Sequence, residues 1–287
     1  MKPSAAQIAL AAILAGLAGN AGAGEAVDSR PGDLPTPETL LSNLVARAAT
    51  VSTQGFRTQF TYTKLRATEE LDSKGKVTEK QEKITELVPV NGRLLSKLVS
   101  ENGKPATAKQ RKAEEELERR VRAEPAPEPK AGKPAPNPKR EFAVTPELFD
   151  RFTFTTEGRE KVNGRDAWVL AFAPRSADMP VKKFADRIVN KVAGKVWIDV
   201  EESELARAEV KLTGRVELVG GVIATMKRFD LVFEQTRFDG GAWFNTLTEA
   251  NVEGRQLVVN KRVHYIEKAS DFKRVAPAEP TTGAAGK

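Results

Sequence analysis

The chain has 287 residues, 40 % hydrophobic and 30 % charged, and this ordinary globular balance excludes disorder along its whole length. It contains no cysteine, which excludes disulfides, thiolate metal sites and a cysteine nucleophile. Residues 104–140 carry 11 basic and 6 acidic side chains, 11 − 6 = +5 of the formal net charge of +7, so the basicity belongs to one segment and no nucleic-acid partner is expected.

The first 23 residues have the pattern of a secretory signal peptide. Lys2 precedes an apolar run over residues 5–18, and Ala21-Gly22-Ala23 forms an A-x-A cleavage site. The alternative is an N-terminal membrane anchor, although the run is shorter than the ~20 residues that a spanning helix needs. We therefore expect an exported, soluble protein of the periplasm or cell envelope.

Residues 39–275 are predicted to form one domain between a disordered leader at 24–38 and a disordered tail at 276–287. The domain opens with an amphipathic pattern over 39–50, which predicts a helix that lies on a sheet. Its apolar positions are Leu40, Leu41, Leu44, Val45 and Ala48.

The next segments alternate as strands do. Phe60 and Tyr62 share one parity of a strand predicted over 56–66. Asn91-Gly92 separates strands at 77–90 and 94–99, and this dipeptide favours a two-residue hairpin turn because both residues accept positive φ.

Residues 105–139 interrupt the strand pattern. The run AEEELERRVR predicts a helix that is polar on nearly all sides, and a Pro-rich tract follows it. We expect a basic insertion, either solvated or in peripheral contact with an anionic membrane or polymer.

Strands resume at 152–156, 168–172, 194–200 and 204–212, with Asn163-Gly164 as a hairpin turn. The strand at 168–172 is apolar on both parities, which predicts cover on each side. A short helix is expected at 184–189. A loop that would lie at the mouth of a cavity is expected at 216–225.

The last strands, within 226–267, predict an antiparallel meander. Phe229, Leu231 and Phe233 share one parity, and short Gly-bearing turns follow at 239–241 and 253–255. The expected fold class is mainly β with covering helices, an α+β antiparallel sheet.

Catalytic motifs are missing from the sequence. It has one histidine, His264, and no nucleophile elbow, phosphate-binding loop or zinc motif, so we expect no enzyme, no metal site and no cofactor. A glycosidase-like carboxylate pair, and hence an unrecognised hydrolase, stays open at this point.

Several short motifs, in their order and spacing, resemble the LolA/LolB-like carriers that sort outer-membrane lipoproteins, especially the longer variants. The resemblance covers residues 39–272. Its motifs are Leu71-Asp72-Ser73-Lys74-Gly75-Lys76-Val77, Val90-Asn91-Gly92-Arg93, Asn102-Gly103-Lys104-Pro105, Val162-Asn163-Gly164-Arg165, Gly194-Lys195-Val196-Trp197-Ile198-Asp199, Phe233-Glu234-Gln235 and Gly241-Ala242-Trp243.

The resemblance implies a curved half-barrel whose concave apolar face binds acyl chains of lipoproteins or lipids, and it brings no catalytic residues. No lid-latching arginine can be placed on Arg57 or elsewhere. The candidate lining residues are Phe60, Tyr62, Trp168, Leu170, Phe172, Trp197, Leu231 and Phe233. The alternatives are that these residues are plain core and that the protein is an envelope interaction module acting through its basic segment.

Overall fold

The computed structural model describes residues 34–50, 58–124, 149–176, 179–181, 184–218, 224–256 and 259–275. The expected signal peptide, most of the leader, Arg57, the Pro-rich part of the insertion and the tail lie outside these ranges. The helices are α1 (Pro37–Thr50), α2 (Ala108–Ala123) and α3 (Phe184–Val189). The strands are β1 (Phe60–Leu71), β2 (Val77–Val90), β3 (Arg93–Glu101), β4 (Lys104–Pro105), β5 (Phe152–Val162), β6 (Arg165–Pro174), β7 (Val192–Asp199), β8 (Leu205–Leu212), β9 (Val216–Leu218), β10 (Ala224–Phe238), β11 (Ala242–Gln256) and β12 (Val259–Arg274).

The strands of the described residues form one open antiparallel sheet. Its order is β4-β3-β2-β1-β12-β11-β10-β8-β7-β6-β5, with β9 paired to β10. The predicted fold class and the meander of β10, β11 and β12 are therefore confirmed. The turn predicted at 253–255 is wrong, because these residues continue β11 and pair with β12. The N-terminal hairpins extend the sheet from β12, and the middle strands extend it from β10.

Three hairpins turn at Asn-Gly pairs, as their sequences predict. Asn91 and Gly92 have φ of 48° and 71°, and Asn163 and Gly164 have 50° and 81°. Positive φ at both central positions is the backbone of a type I′ turn, whose twist matches that of the strands it joins. Asn102 and Gly103 repeat the pattern with 51° and 73°.

The register divides the sheet into two faces that we call inner and outer. Because side chains alternate along a strand, residues paired across strands share a face. One inner row joins Phe154, Phe172, Gly194, Val210, Leu231, Ala250, Tyr265 and Thr68. The neighbouring outer row joins Ala171, Lys195, Glu209, Val232, Glu249, Ile266 and Ala67. The inner face is thus apolar over most of the sheet, and the outer face is mixed.

Two helices cover part of the inner face. From α1, Leu40, Leu41 and Leu44 pack against a cluster that includes Leu170 and Phe233. From α3, Ile188 and Val189 pack with Phe152, Val192 and Val216. The Thr36 hydroxyl accepts a hydrogen bond from the Thr39 amide at 3.3 Å and caps α1, which begins two residues before the helix predicted over 39–50.

A glycine lets β7 and β8 approach closely beneath the aromatic part of the inner face. A Cβ atom on Gly194 would lie 1.8 Å from the backbone oxygen of Glu209 and 3.1 Å from Cζ of Phe172. Any larger residue would therefore push β8 away from β7.

The sheet extends further than the sequence patterns indicate. The expected loop at 216–225 begins with β9, which pairs with β10. The last strand, expected to end near Glu267, continues to Arg274, which pairs with Phe60 of β1. Most residues of this extension are polar, so its sequence has no alternating hydrophobic pattern. Its pairing with β1 and the packing of Phe272 hold it in the sheet.

Helix α2 lies on the β3 edge rather than projecting away from the sheet. Val121 and Ala106 are buried, and the Leu98 amide donates to Glu114 Oε1 at 2.8 Å. Asn91 Nδ2 donates to the Val121 carbonyl oxygen at 3.0 Å. The helix supplies partners for edge groups that the two-residue β4 leaves unpaired.

Candidate functional site

The inner face holds seven of the eight candidate lining residues. They are Phe60, Tyr62, Trp168, Leu170, Phe172, Leu231 and Phe233. They do not form a single cluster, because they are distributed over strands from both halves of the sheet.

Leu170 and Phe233 lie directly beneath α1. Leu170 is 0 % exposed and Phe233 4 % exposed, and both pack with the α1 leucines and Ile198. Trp168 lies at the margin of this cluster and is half-buried, with the Arg159 guanidinium 4.8 Å from its ring centroid. The region is a filled contact between helix and sheet in this structure.

Phe172 belongs to an aromatic group near α3. Its ring centroid is 5.1 Å from that of Phe152, in an edge-to-face arrangement. Val210 packs both with this group and with the neighbouring cluster of Leu231 and Phe229. The apolar surface therefore continues from α3 to the middle of the sheet.

Phe60 and Tyr62, at the start of β1, belong to a separate aromatic group. The Tyr62 ring stacks on Phe272 at 5.0 Å, and the Phe60 ring meets Phe244 edge-on at 5.2 Å. Phe238 completes the group. These rings pack on one another, so the sequence-predicted pair serves as core at this end of the sheet.

Trp197 lies on the outer face, away from the other candidates. It pairs with Val169 in register, and its indole nitrogen donates to Glu160 Oε2 at 2.8 Å. The Arg207 guanidinium lies 5.4 Å from its ring centroid. In β7, Val192, Val196 and Ile198 share the inner parity, whereas Trp197 shares its parity with Lys195 and Asp199. Alternation along β7 therefore agrees with the pairing to β6 and places Trp197 outward.

Charged side chains attach α1 to the turn between β7 and β8. Arg47 Nη2 lies 2.9 Å from Glu202 Oε2, and Arg47 Nε lies 3.3 Å from Glu204 Oε2. Trp243 Nε1 donates to the same Glu202 oxygen at 2.9 Å, and Arg237 also binds Glu202. Local sequence patterns do not predict this attachment, because Arg47 and Glu202 are 155 residues apart.

A second set of charges, also missed, lies on the inner face of β1 and β12. Glu267 accepts from Lys64 Nζ at 2.8 Å, from Arg66 Nη2 at 2.7 Å and from the Tyr265 hydroxyl at 3.1 Å. Burial alone would raise the pKa of Glu267, but Lys64 and Arg66 bring it below its usual value. The sequence carries one signal for these charges. Lys64 and Arg66 have the same parity as Phe60 and Tyr62, so they interrupt the apolar pattern of that face of β1.

No cluster of three metal-ligating side chains occurs in the residues described. Among the same residues, no helix is long and apolar enough to cross a membrane. The inner face thus offers apolar surface and a few charged groups as its chemistry.

No protein-family model matches the chain, and no curated protein is significantly similar to it. Solved structures are similar in fold. A Vibrio parahaemolyticus domain assigned to outer-membrane lipoprotein sorting is 14 % identical with a TM-score of 0.32, and the match covers 83 % of this chain and 93 % of that one.

Two further solved structures are similar over most of their length. A DUF1329 family protein of Desulfovibrio piger is 11 % identical, with coverage of 83 % and 92 % and a TM-score of 0.31. A LolA superfamily protein of Nitrosomonas europaea is 12 % identical, with coverage of 86 % and 96 % and a TM-score of 0.27. At these identities and TM-scores, the function has to be inferred from the residues of this chain.

Proposed function

We propose that the protein is a non-catalytic carrier or sensor that binds acyl chains of lipoproteins or lipids between α1 and the inner face. One observation carries the proposal: an amphipathic helix covers the apolar face through leucine side chains and is fastened at one end by Arg47. A cover of this kind occupies an apolar surface that an acyl chain would also fit.

The energies allow such an exchange. An acyl chain of about ten methylenes gains several kcal/mol on burial at ~0.8 kcal/mol per CH₂. Displacing Leu40, Leu41 and Leu44 costs about 1.5–3 kcal/mol for each leucine that becomes exposed. The two amounts are similar, so a bound chain can replace the helix without a charged contact, less the ordering costs of binding.

The cellular setting is part of the same proposal. Cleavage after residue 23 would release a soluble periplasmic protein with one domain at 39–275 and a basic insertion at 105–139. A protein of this kind would take part in sorting outer-membrane lipoproteins, because their acyl chains need cover while they cross an aqueous compartment.

The test is a fluorescence titration with a pyrene-labelled acyl chain that ends in a neutral amide. Phe154→Glu places a carboxylate on the inner face where Phe154 packs with the α1 leucines, and the matched control Thr155→Glu places the same group on the next residue, which is exposed on the outer face. We expect saturable binding by wild type and by Thr155→Glu and its loss in Phe154→Glu. Circular dichroism establishes that all three are folded.

Two results would reject the carrier. One is the absence of saturable binding by wild type. The other is equal binding by folded Phe154→Glu, which would show that the inner face beneath α1 is plain core.

A second candidate function is supported by the orientation of α2. Glu114 and Glu118 face the sheet, whereas the exposed charged side chains of α2 are six basic and two acidic, 6 − 2 = +4. The basic residues are Lys109, Arg111, Lys112, Arg119, Arg120 and Arg122. An envelope module that contacts an anionic membrane or polymer through α2 would use this surface.

Vesicle sedimentation tests this candidate. We expect binding to phosphatidylglycerol vesicles at low salt, little binding to phosphatidylcholine, and weaker binding by Lys109→Gln/Lys112→Gln than by the control Lys74→Gln/Lys227→Gln. Equal sedimentation of the two variants would assign any binding to the net charge of the protein rather than to α2.

A further inference from the structure

Three cations and one carboxylate share a small area of the inner face on β2, β1 and β12. Arg66 is the register partner of both Lys83 and Glu267, and Lys64 precedes Arg66 by two residues. Arg66 and Lys64 bind Glu267. Lys83 is exposed and forms no ion pair with any residue that the structure describes.

The neighbouring carboxylates leave this excess of positive charge in place. Glu70, further along the same face of β1, is bound by Lys261. Glu101 pairs with Lys83 in register, but no ion pair joins the two within the described part of the chain. Like charges directly opposite each other in a sheet are destabilising, so Arg66 and Lys83 lie in a position that an anion between them would stabilise.

The cations are accessible to such an anion. The Arg66 side chain is 56 % exposed and that of Lys64 30 %, whereas that of Glu267 is 13 % exposed. Arg66 uses Nε and Nη2 on Glu267. A guanidinium presents its free donors in a planar fork that fits a carboxylate or a phosphate group.

The cations are aligned with the region beneath α1. A single row of register partners runs from Phe233 through Thr248 and Glu267 to Arg66 and Lys83. Three strand spacings of about 4.8 Å place Arg66 roughly 14 Å from Phe233 along this row. An acyl chain that starts under α1 and lies across the strands would bring its head to the cations.

We propose that Lys64, Arg66 and Lys83 bind the anionic group, a carboxylate or a phosphate, of an amphiphile whose chain lies on the inner face. This inference rests on the acyl-chain function proposed above and adds the charge of the ligand. Glu267 holds Lys64 and Arg66 in place, and Lys83 supplies the opposite side of the anion site.

The experiment compares two pyrene-labelled probes with the same chain, one ending in a carboxylate and one in a neutral amide. Wild type is expected to bind the carboxylate probe about ten-fold more tightly, as charge-assisted hydrogen bonds would produce. Arg66→Gln/Lys83→Gln should remove this preference and keep the affinity for the amide probe. The control Lys211→Gln/Lys268→Gln neutralises two exposed lysines of the outer face and should retain the preference.

The other outcomes distinguish failure of the anion site from failure of the acyl-chain function. Equal affinity of wild type for the two probes, or an unchanged preference in folded Arg66→Gln/Lys83→Gln, rejects the anion site and leaves the acyl-chain function standing. Failure of wild type to bind either probe rejects both proposals. Inorganic phosphate at the probe's concentration should not displace the carboxylate probe; full displacement would identify a site for small anions instead of an amphiphile.

Discussion

The turn between β7 and β8 joins several charged side chains with backbone amides over a few residues. Asp199 is 1 % exposed, and its carboxylate accepts from Arg165 Nε at 2.7 Å and Nη2 at 2.8 Å. It also accepts from the amides of Glu201 and Glu202. A buried carboxylate with charged and backbone partners fixes the shape of the turn, and the turn in turn positions Glu202 and Glu204 for Arg47.

The two glutamates that bind Arg47 have pKa values shifted in opposite directions. Burial raises the pKa of Glu204 above 4.5, and the Arg47 hydrogen bond of 3.3 Å offsets this only in part. Burial acts on Glu202 in the same direction, but hydrogen bonds from Trp243 and Arg237 bring its pKa below 4.5. Ionised Glu202 therefore stabilises the fold, and ionised Glu204 destabilises it.

Single substitutions should separate these two effects. At neutral pH, Glu202→Gln is expected to lower the free energy of unfolding and Glu204→Gln to raise it. The contribution of Glu202 is present above 4.5 and lost as the pH falls through its folded-state pKa. The penalty of Glu204 is absent below 4.5 and grows as the pH rises through its folded-state pKa.

Urea unfolding of both variants and wild type over a range of pH provides the measurement. The differences from wild type should both shrink in acid, where all three proteins carry neutral side chains at these positions. A Glu204→Gln protein that is less stable than wild type at neutral pH would contradict the assigned direction.

At the scale of elements, α2 protects an edge of the sheet. The edge of β3 that faces away from β2 is paired only with the two-residue β4, so its other backbone donors and acceptors could pair with another chain. The Glu114 carboxylate accepts from the Leu98 amide, and the Ala106 amide donates to the Val99 carbonyl. A helix rich in glutamate, lysine and arginine can thus be structural through a few acidic side chains and one buried valine.

Glu114→Ala is predicted to lower the free energy of unfolding by about 1–2 kcal/mol, because it leaves the Leu98 amide without its acceptor. The matched control is Glu115→Ala, which removes an exposed carboxylate from the next position. Urea denaturation measures both variants. Equal stability of the two would show that water replaces Glu114 at no cost.

Local sequence patterns predict secondary structure well where neighbouring residues alone determine it. The Asn-Gly pairs, the α1 leucines and the parity of Leu231 and Phe233 all act within a few residues. Trp197 is different, because its large apolar ring suggests the inner face although it shares its parity with the charged Lys195 and Asp199. The charges of Lys64 and Arg66 also acquire meaning only when Lys83 and Glu267 are placed beside them.

At the scale of the whole molecule, the first and last strands meet in the middle of the sheet. β1 pairs with β12 from Phe60 with Arg274 to Leu71 with Arg262. Everything in β1–β4 is attached to the rest of the sheet through this ladder. Sequence patterns did not predict the ladder, because residues some 200 positions apart carry no shared local signal.

A truncation series tests this dependence. Removing residues 259–287 deletes β12 and should abolish cooperative unfolding, because β1–β4 lose their only strand partner in the described sheet and β11 becomes an open edge. Removing residues 276–287, the tail that the sequence predicts to be disordered, should leave the thermal midpoint within a few degrees. Differential scanning calorimetry distinguishes the two, and a cooperative transition in the shorter protein would refute the dependence.

The position of β12 also sets the timing of folding during synthesis. Nearly two hundred residues follow β1 before β12 begins, and at about 5–20 residues per second the ribosome needs roughly ten seconds or more to make them. Throughout this interval the N-terminal hairpins have no neighbouring strand on which to assemble. The complete sheet consequently forms only after almost the whole chain has been made, and until then β1–β4 lack the ladder that joins them to the other strands.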